Sequence, residues 1–223
     1  PDGVAILNYD DERVRAMAAH TAARVLTYGL SPEADVWADE IAGLGLEGIR
    51  MRLHYGEKTA TIGVPLLGRH SVYPVLRAAA VGIAEDVNWS GILRSLQTIR
   101  DPLRLVAKEG LKGTLILDDT YNSSPPSALA ALDLLLDLGG RKIAVLGDML
   151  ELGDSEEQGH LRVGRRAAEV ADHLIVVGEL AVLIGRGAVE DGMPADKIQG
   201  VPDSEAAAEL LTSMVQPGDV ILV

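Results

Sequence analysis

The chain contains no cysteine and no phenylalanine. Without thiols, neither a disulfide framework nor a thiolate zinc site can form, and a cytoplasmic location is expected. Aromatic residues make up only 3% of the 223, so the core must be built from Leu, Ile, Val and Ala. That composition suits buried parallel strands covered by aliphatic helices. Positive charge is also scarce: 20 Lys and Arg against 33 Asp and Glu leave a net charge of −13. Such a field repels nucleic acids and anionic membrane surfaces, while a small anionic ligand is still allowed where arginines gather. No apolar run is long enough to span a bilayer, so no membrane insertion is expected. The N-terminus lacks the charged-then-apolar order of a signal peptide. No βα turn carries a GxGxxG fingerprint, and the Walker pattern GxxxxGK[ST], HExxH and GxSxG do not occur. Without them, a phosphate loop within this chain, a zincin helix and a serine nucleophile elbow are excluded.

What is present reads as two α/β regions. In the first, VAILNYD is a strand entering an acidic turn, DERVRAMAAHTAA an amphipathic helix and VLTYGL a second strand. IRMRLHYG and KTATIGVPL then alternate apolar and polar around Gly56-Glu57, which predicts an antiparallel hairpin at the edge of a sheet. Two helical stretches follow. Pro74 sits in the first, so that helix starts near Tyr73 or kinks there; Asn88 or Ser90 caps the second. From about Asp101 the pattern becomes regular. Strands LILDD, KIAVLGDM, HLIVVG, DKIQGV and DVILV alternate with helices, one of them opened by Ser155 and Gln158 in capping-box spacing. Alternation of this kind with strands apolar on both faces predicts a Rossmann-like, doubly wound parallel sheet with helices on both faces. The expected division is 1–100 and 101–223, with Pro102 breaking the helix at the boundary. Pro1 is not an initiator methionine and PGDVILV stops within a strand, so a piece of a longer chain is expected.

In such sheets ligands gather at the carboxyl ends of the strands. Two ends here are rich in polar groups: Asp118-Asp119-Thr120-Tyr121-Asn122, and Gly147-Asp148-Met149 with Glu151 close behind. An aspartate at such a point accepts hydrogen bonds from ribose hydroxyls or helps hold a cation. Equally, Asp119 or Ser123 caps the helix that Pro125 begins, and the two readings stand side by side for Asp119, Tyr121 and Asn122. Ser123, Ser124, Pro125 and Pro126 read as capping and first-turn residues. His160 reads as a helix-face or structural histidine.

These residues carry a resemblance. DDTYNSSPPSALAALDLLLDLGGRKIAVLGDMLELGDSEEQGHLRVG, residues 118–164, resembles the carboxyl-terminal domain of the Mur ligases. That family shows DDSYNANPxSM, then VLGDMxELG, then a histidine and VG at the spacing of His160 and Val163-Gly164. Upstream, LNYDDERV is similar to the family's LNxDD, and PLLGRHSVYPVLRAAAVG to its PGRHNxxNALAA helix. Leu103-Arg104-Leu105 stands in place of GRL. The resemblance runs in order along essentially the whole chain. It is strongest to members that join D-alanyl-D-alanine to UDP-N-acetylmuramoyl-tripeptide.

What the resemblance implies is an ATP- and Mg2+-dependent ligation through an acyl phosphate, in peptidoglycan precursor synthesis, by a cytoplasmic monomer. Residues 1–100 would be the latter part of the central ATP-binding domain, without its P-loop, and 101–223 the closing domain without its last segment. The chain alone is then expected to be inactive. Asp119 matches the aspartate that holds the ATP ribose, and Arg104 the arginine that reaches the nucleotide. Tyr121 and Asn122 match the pair on the side where the dipeptide enters. Asp148 and Glu151 match GDMxELG, with strand-end structure and substrate contact equally implied. Asn8, Asp10 and Asp11 match LNxDD and read as turn and cap. No residue is assigned as a metal ligand or as the catalytic group. Ser71, Pro74 and Ser124 stand where the family has asparagines, and Leu103 where it has glycine. These departures motivate an alternative, a non-catalytic Mur-ligase-like binding module.

Overall fold

The computed structural model describes residues 3–99 and 105–223, and the chain forms two compact units, Pro1–Asp101 and Pro102–Val223. Arg104 and Leu103 lie outside the described residues.

The first unit is built on a five-stranded sheet of order β1-β2-β3-β4-β5. Its strands are β1 (Val4–Asn8), β2 (Arg24–Gly29), β3 (Val36–Gly43), β4 (Ile49–Tyr55) and β5 (Lys58–Val64). β1, β2 and β3 pair in parallel, whereas β3-β4 and β4-β5 are antiparallel. Gly56 takes φ +55 at the first position of the β4-β5 turn, the conformation that a two-residue hairpin asks of glycine. One face of the sheet, with Leu26, Val36, Met51, Leu53 and Ile62, packs on helices α2 (Val72–Ala84) and α3 (Trp89–Gln97). Pro74 is the third residue of α2, within the first turn, where a missing N–H leaves no gap in the helix. Asn88 caps α3 by accepting the Gly91 N–H at 2.8 Å. The predicted helix after β1 is shorter than its pattern suggests. α1 covers only Glu12–Ala16, continues as a 3₁₀ turn and buries no side chain. β3 was not legible as a strand, and the GxGxxG spacing of Gly43 to Gly48 is merely the loop joining it to β4.

The second unit is a six-stranded sheet of order β10-β9-β8-β11-β7-β6. Its strands are β6 (Val106–Glu109), β7 (Leu115–Asp118), β8 (Lys142–Gly147), β9 (His173–Val177), β10 (Ile198–Val201) and β11 (Val220–Leu222). The helices are α4 (Pro125–Asp137), α5 (Glu156–Val170), α6 (Val182–Glu190) and α7 (Ser204–Met214). Five strands are parallel, as the alternation predicts; β6, which had no clear signal in the sequence, adds an antiparallel edge against β7. The chain winds outward from β7 through β8, β9 and β10, then returns along α7 to insert β11 between β7 and β8. α7 covers one face, and its Ala207, with Val215 just past its end, packs on Ile143, Ile175 and Ile221. Side chains of opposite parity, Ala144, Leu146 and Leu174, are buried towards α4, α5 and α6 on the other. The capping box expected at Ser155 does not form: Ser155 ends a 3₁₀ turn and its side chain makes no cap bond.

Candidate functional site

The carboxyl ends of β7, β8, β9 and β11 surround a cavity of about 500 Å³. Its polar wall is Asp119, Thr120, Asn122 and Ser123 after β7, with Gly147 and Asp148 after β8. Its apolar wall is Val145, Val177 and Leu222 from the strands, Val223 just past β11, Ala128 and Ala131 from α4, and Ala207, Ala208 and Leu211 from α7. The small alanines keep the space open between two helices that lie on opposite faces. The described lining holds the carboxylates of Asp119 and Asp148 but no Lys, Arg or His. Such a surface suits hydroxyl or ammonium donors and disfavours a bare phosphate chain.

The tandem aspartates do different things. Asp118 is folded into its own turn: Oδ1 accepts from the Thr120 N–H and hydroxyl at 3.2 and 2.7 Å, and Oδ2 meets Lys108 Nζ at 2.6 Å. Lys108, then Thr120, lower its pKa to about 2. Asp119 sits one residue further on, where its N–H donates to the Val223 carbonyl at 2.8 Å and extends the β7-β11 ladder past the strand end. This ladder bond fixes the backbone from which the Asp119 side chain reaches the cavity. Neither Asp119 nor Ser123 caps α4. The N-cap is Ser124, whose N–H donates to Ser127 Oγ and whose own hydroxyl bonds it, both at 3.0 Å.

Asp148 lines the cavity and also holds the fold. Its Oδ1 accepts the Ala181 N–H at 2.7 Å, just before α6. Gly178, at φ +106, passes so near that a Cβ there would stand 2.6 Å from both carboxylate oxygens. No other residue could take that conformation at that distance. Of the remaining candidates, Asn122 is exposed and lines the cavity, Tyr121 is 79% exposed outside its lining, and Glu151 is exposed at φ +62, also outside it. The cavity therefore brings together Asp119, Asn122 and Asp148. The alanines of α4 and α7 were not singled out in the sequence; the AAA of SEAAAELL was the available signal.

In the first unit, the LNYDD segment forms turn and cap. Asp10 N–H donates to Asn8 Oδ1 at 3.1 Å, and Asp11 Oδ1 accepts from the Arg13 and Val14 N–H groups at 2.9 and 3.1 Å. Asp10 Oδ2 accepts the Leu30 N–H at 2.7 Å, tying β1 to the end of β2. Burial, and then the nearby Asp10 carboxylate, push the Tyr73 hydroxyl pKa up. Asn8, Asp10, Asp11 and Tyr73 line a shallow depression. Ser71 is turned inward, its hydroxyl donating to the Leu67 carbonyl at 2.6 Å.

This fold, with ligand-type residues gathered at the strand ends of the second unit, defines a two-unit α/β protein whose second unit is Rossmann-like. Two family models account for nearly all of it: the Mur ligase middle domain matches residues 1–82, and the Mur ligase, glutamate ligase domain matches 103–223. The chain belongs to the Mur ligase family. It is 33% identical to the UDP-N-acetylmuramoyl-tripeptide–D-alanyl-D-alanine ligase of Mycobacterium tuberculosis H37Rv, over 99% of this chain and 48% of that protein. Against the enzyme of the same name from Bacillus subtilis it is 30% identical, over 88% of this chain and 43% of the relative. A crystal structure of MurF from Acinetobacter baumannii superposes with a TM-score of 0.83 at 29% identity, covering all of this chain and 48% of that one. The chain thus spans about half the length of these relatives. Among the described residues no helix is long and apolar enough to cross a membrane.

Proposed function

We propose that the chain is the latter part of a cytoplasmic, monomeric ligase that joins D-alanyl-D-alanine to UDP-N-acetylmuramoyl-tripeptide in peptidoglycan precursor synthesis. ATP supplies the phosphoryl group that turns the tripeptide's terminal carboxylate into an acyl phosphate. The dipeptide amine then attacks the acyl carbon, phosphate leaves, and the amine loses a proton. The observation that carries this reading is the cavity where Asp119, Asn122 and Asp148 meet an alanine-lined wall, in a chain 33% identical over 99% of its length to a ligase of that name.

Asp119 offers a carboxylate for ribose hydroxyls, and Asn122 both a donor and an acceptor for the dipeptide. Tyr121, exposed beside them, and Glu151, on the loop after β8, are assigned to the substrate side. Arg104, outside the described residues, is assigned to the nucleotide. Among the described residues no group of three or more His, Asp or Glu could hold an ion, and no residue of this chain is assigned as a metal ligand. No step is assigned to Mg2+ in this chain. Closing the strand ends over the reacting groups would exclude water that otherwise hydrolyses an acyl phosphate.

The test is phosphate release by the complete protein supplied with ATP, Mg2+, UDP-N-acetylmuramoyl-tripeptide and D-alanyl-D-alanine. Release that requires the dipeptide, and a KM for ATP that rises on Asp119→Ala, support the proposal. A folded protein that neither binds ATP nor releases phosphate overturns it in favour of a binding module.

A further inference from the structure

Among the described residues of the second unit, the most deeply buried polar side chain lies beside the cavity rather than in it. His160, on α5, has no exposed surface. Its Nε2 accepts the Met149 N–H at 3.0 Å, and its Nδ1 lies 2.7 Å from the Glu156 carbonyl one turn earlier in the helix. A backbone N–H can only donate and a carbonyl only accept, so the ring carries its proton on Nδ1 and its lone pair on Nε2. One imidazole therefore joins the loop after β8 to α5. Met149 is fully buried as well, so that peptide is fixed by both its side chain and its amide.

The residue next to Met149 is Asp148. Its carboxylate reaches the other way, accepting the Ala181 N–H at 2.7 Å and standing against Gly178. His160 and Asp148 thus hold two consecutive residues of the loop, one against α5 and one against the start of α6. Beyond this double anchor the loop runs free of the core: Leu150 is 65% exposed and Glu151 adopts φ +62.

We propose that His160 is a positioning residue for the cavity, holding the Met149 peptide so that the Asp148 carboxylate stays at the wall against which the amine-bearing substrate rests. The inference deepens the ligase reading and rests on it for the identity of that substrate. Replacing His160 by an apolar residue leaves the buried Met149 N–H without an acceptor and frees the peptide that carries Asp148. A side chain serving only as core filling would lower stability without affecting Asp148.

Two measurements test it. In the complete ligase, His160→Leu should raise the KM for D-alanyl-D-alanine by about tenfold, the worth of one buried hydrogen bond, while the KM for ATP stays within about twofold. His160→Gln, which keeps an acceptor and a donor, should recover part of the loss. In the 223-residue chain itself, His160→Leu should speed amide exchange at both Met149 and Ala181 by about tenfold or more relative to the core of β9. A folded His160→Leu protein with an unchanged dipeptide KM, or with unchanged protection at Ala181, overturns the proposal. Should the leucine variant not fold, the wild type decides by nitrogen NMR: a coupling across the Met149 N–H to Nε2 bond supports the proposal, and a ring protonated on Nε2 overturns it. Wild-type protein that fails to ligate defeats the ligase reading, while the exchange result still settles the link between His160 and Asp148.

Discussion

Gly164 of α5 and Ile184 of α6 leave no room for a methyl group between them: a Cβ at 164 would stand 2.0 Å from the Ile184 carbonyl oxygen. The relationship is reciprocal, since a Cβ at Gly187 would stand 2.3 Å from the Leu161 carbonyl oxygen. The obstructing atoms are backbone, so no rotamer change can relieve the clash and the helices themselves must part. Gly164→Ala gains about 1 kcal/mol in helix propensity but loses about 3 kcal/mol or more to overpacking. The expected result is a net destabilisation of about 2 kcal/mol, read as a lower urea midpoint. Gly139→Ala is the control, because a Cβ there meets nothing within 4 Å. An unchanged midpoint for Gly164→Ala would mean that the helices do not approach this closely.

Arg141 and Asp219 brace the turn before β11. Arg141 Nε and Nη2 donate to the two Asp219 oxygens at 2.9 and 2.6 Å, Nη2 also donates to the Met214 carbonyl at 2.8 Å, and the Gln216 N–H donates to Asp219 Oδ2 at 2.7 Å. Asp219 is only 3% exposed. The Arg141 guanidinium, helped by the Gln216 N–H and opposed by burial, holds the Asp219 carboxyl below the usual carboxylate range. A folded-state pKa below the unfolded one stabilises the protein above about pH 3.9, and that contribution is lost as pH falls through the lowered value. Asp219→Asn should therefore flatten the acid limb of the stability curve. Arg141→Met, which strands a buried carboxylate, should cost about 3 kcal/mol near neutral pH. Equal acid limbs for wild type and Asp219→Asn would remove this pair from the account.

Asp118 offers a smaller test of the same kind. With Lys108 and Thr120 lowering its pKa to about 2, a carboxyl-carbon NMR titration should place it well below the ordinary aspartate value of about 3.9. Lys108→Met should move it back towards the ordinary value. The stability change should be about 1 kcal/mol or less, because the Lys108 side chain is 57% exposed and the pair is screened. Titration of Asp118 unaffected by Lys108→Met would contradict the contact.

The architecture of the second unit was legible because buried parallel strands and aliphatic helices write different periods into the sequence, and strand ends such as LILDD and LGD stand out against them. Which strand lies beside which was not. β11 enters between β7 and β8 after four crossovers, and no local pattern records that. Nor could the sequence tell that Asp118 serves its own turn while Asp119 lines the cavity, since the two differ only in their place relative to the strand end. Asp148 was readable as a strand-end residue. Its partner Ala181 lies 33 residues away and offers only a backbone N–H, which any residue but proline would supply. Ser155 had the right spacing for a capping box, but a preceding 3₁₀ turn took its place.

Ala208 gives the most direct probe of the cavity. It lies on α7, is exposed, and lines the space shared with Asp119 and Asp148. A leucine there is a good helix former, so its effect on stability should be within about 0.5 kcal/mol. Its added methyl-bearing carbons would occupy part of a cavity of about 500 Å³. If the cavity receives a substrate group, Ala208→Leu in the complete ligase should raise the KM for the ligand placed there by about tenfold, a loss of one well-filled contact region. Which KM rises then distinguishes the two occupants by chemistry: the ATP KM if ribose rests against Asp119, the dipeptide KM if the amine side fills the alanine wall. Steady-state kinetics with each substrate varied in turn reads this out. A folded variant with both constants unchanged would show that the cavity takes neither.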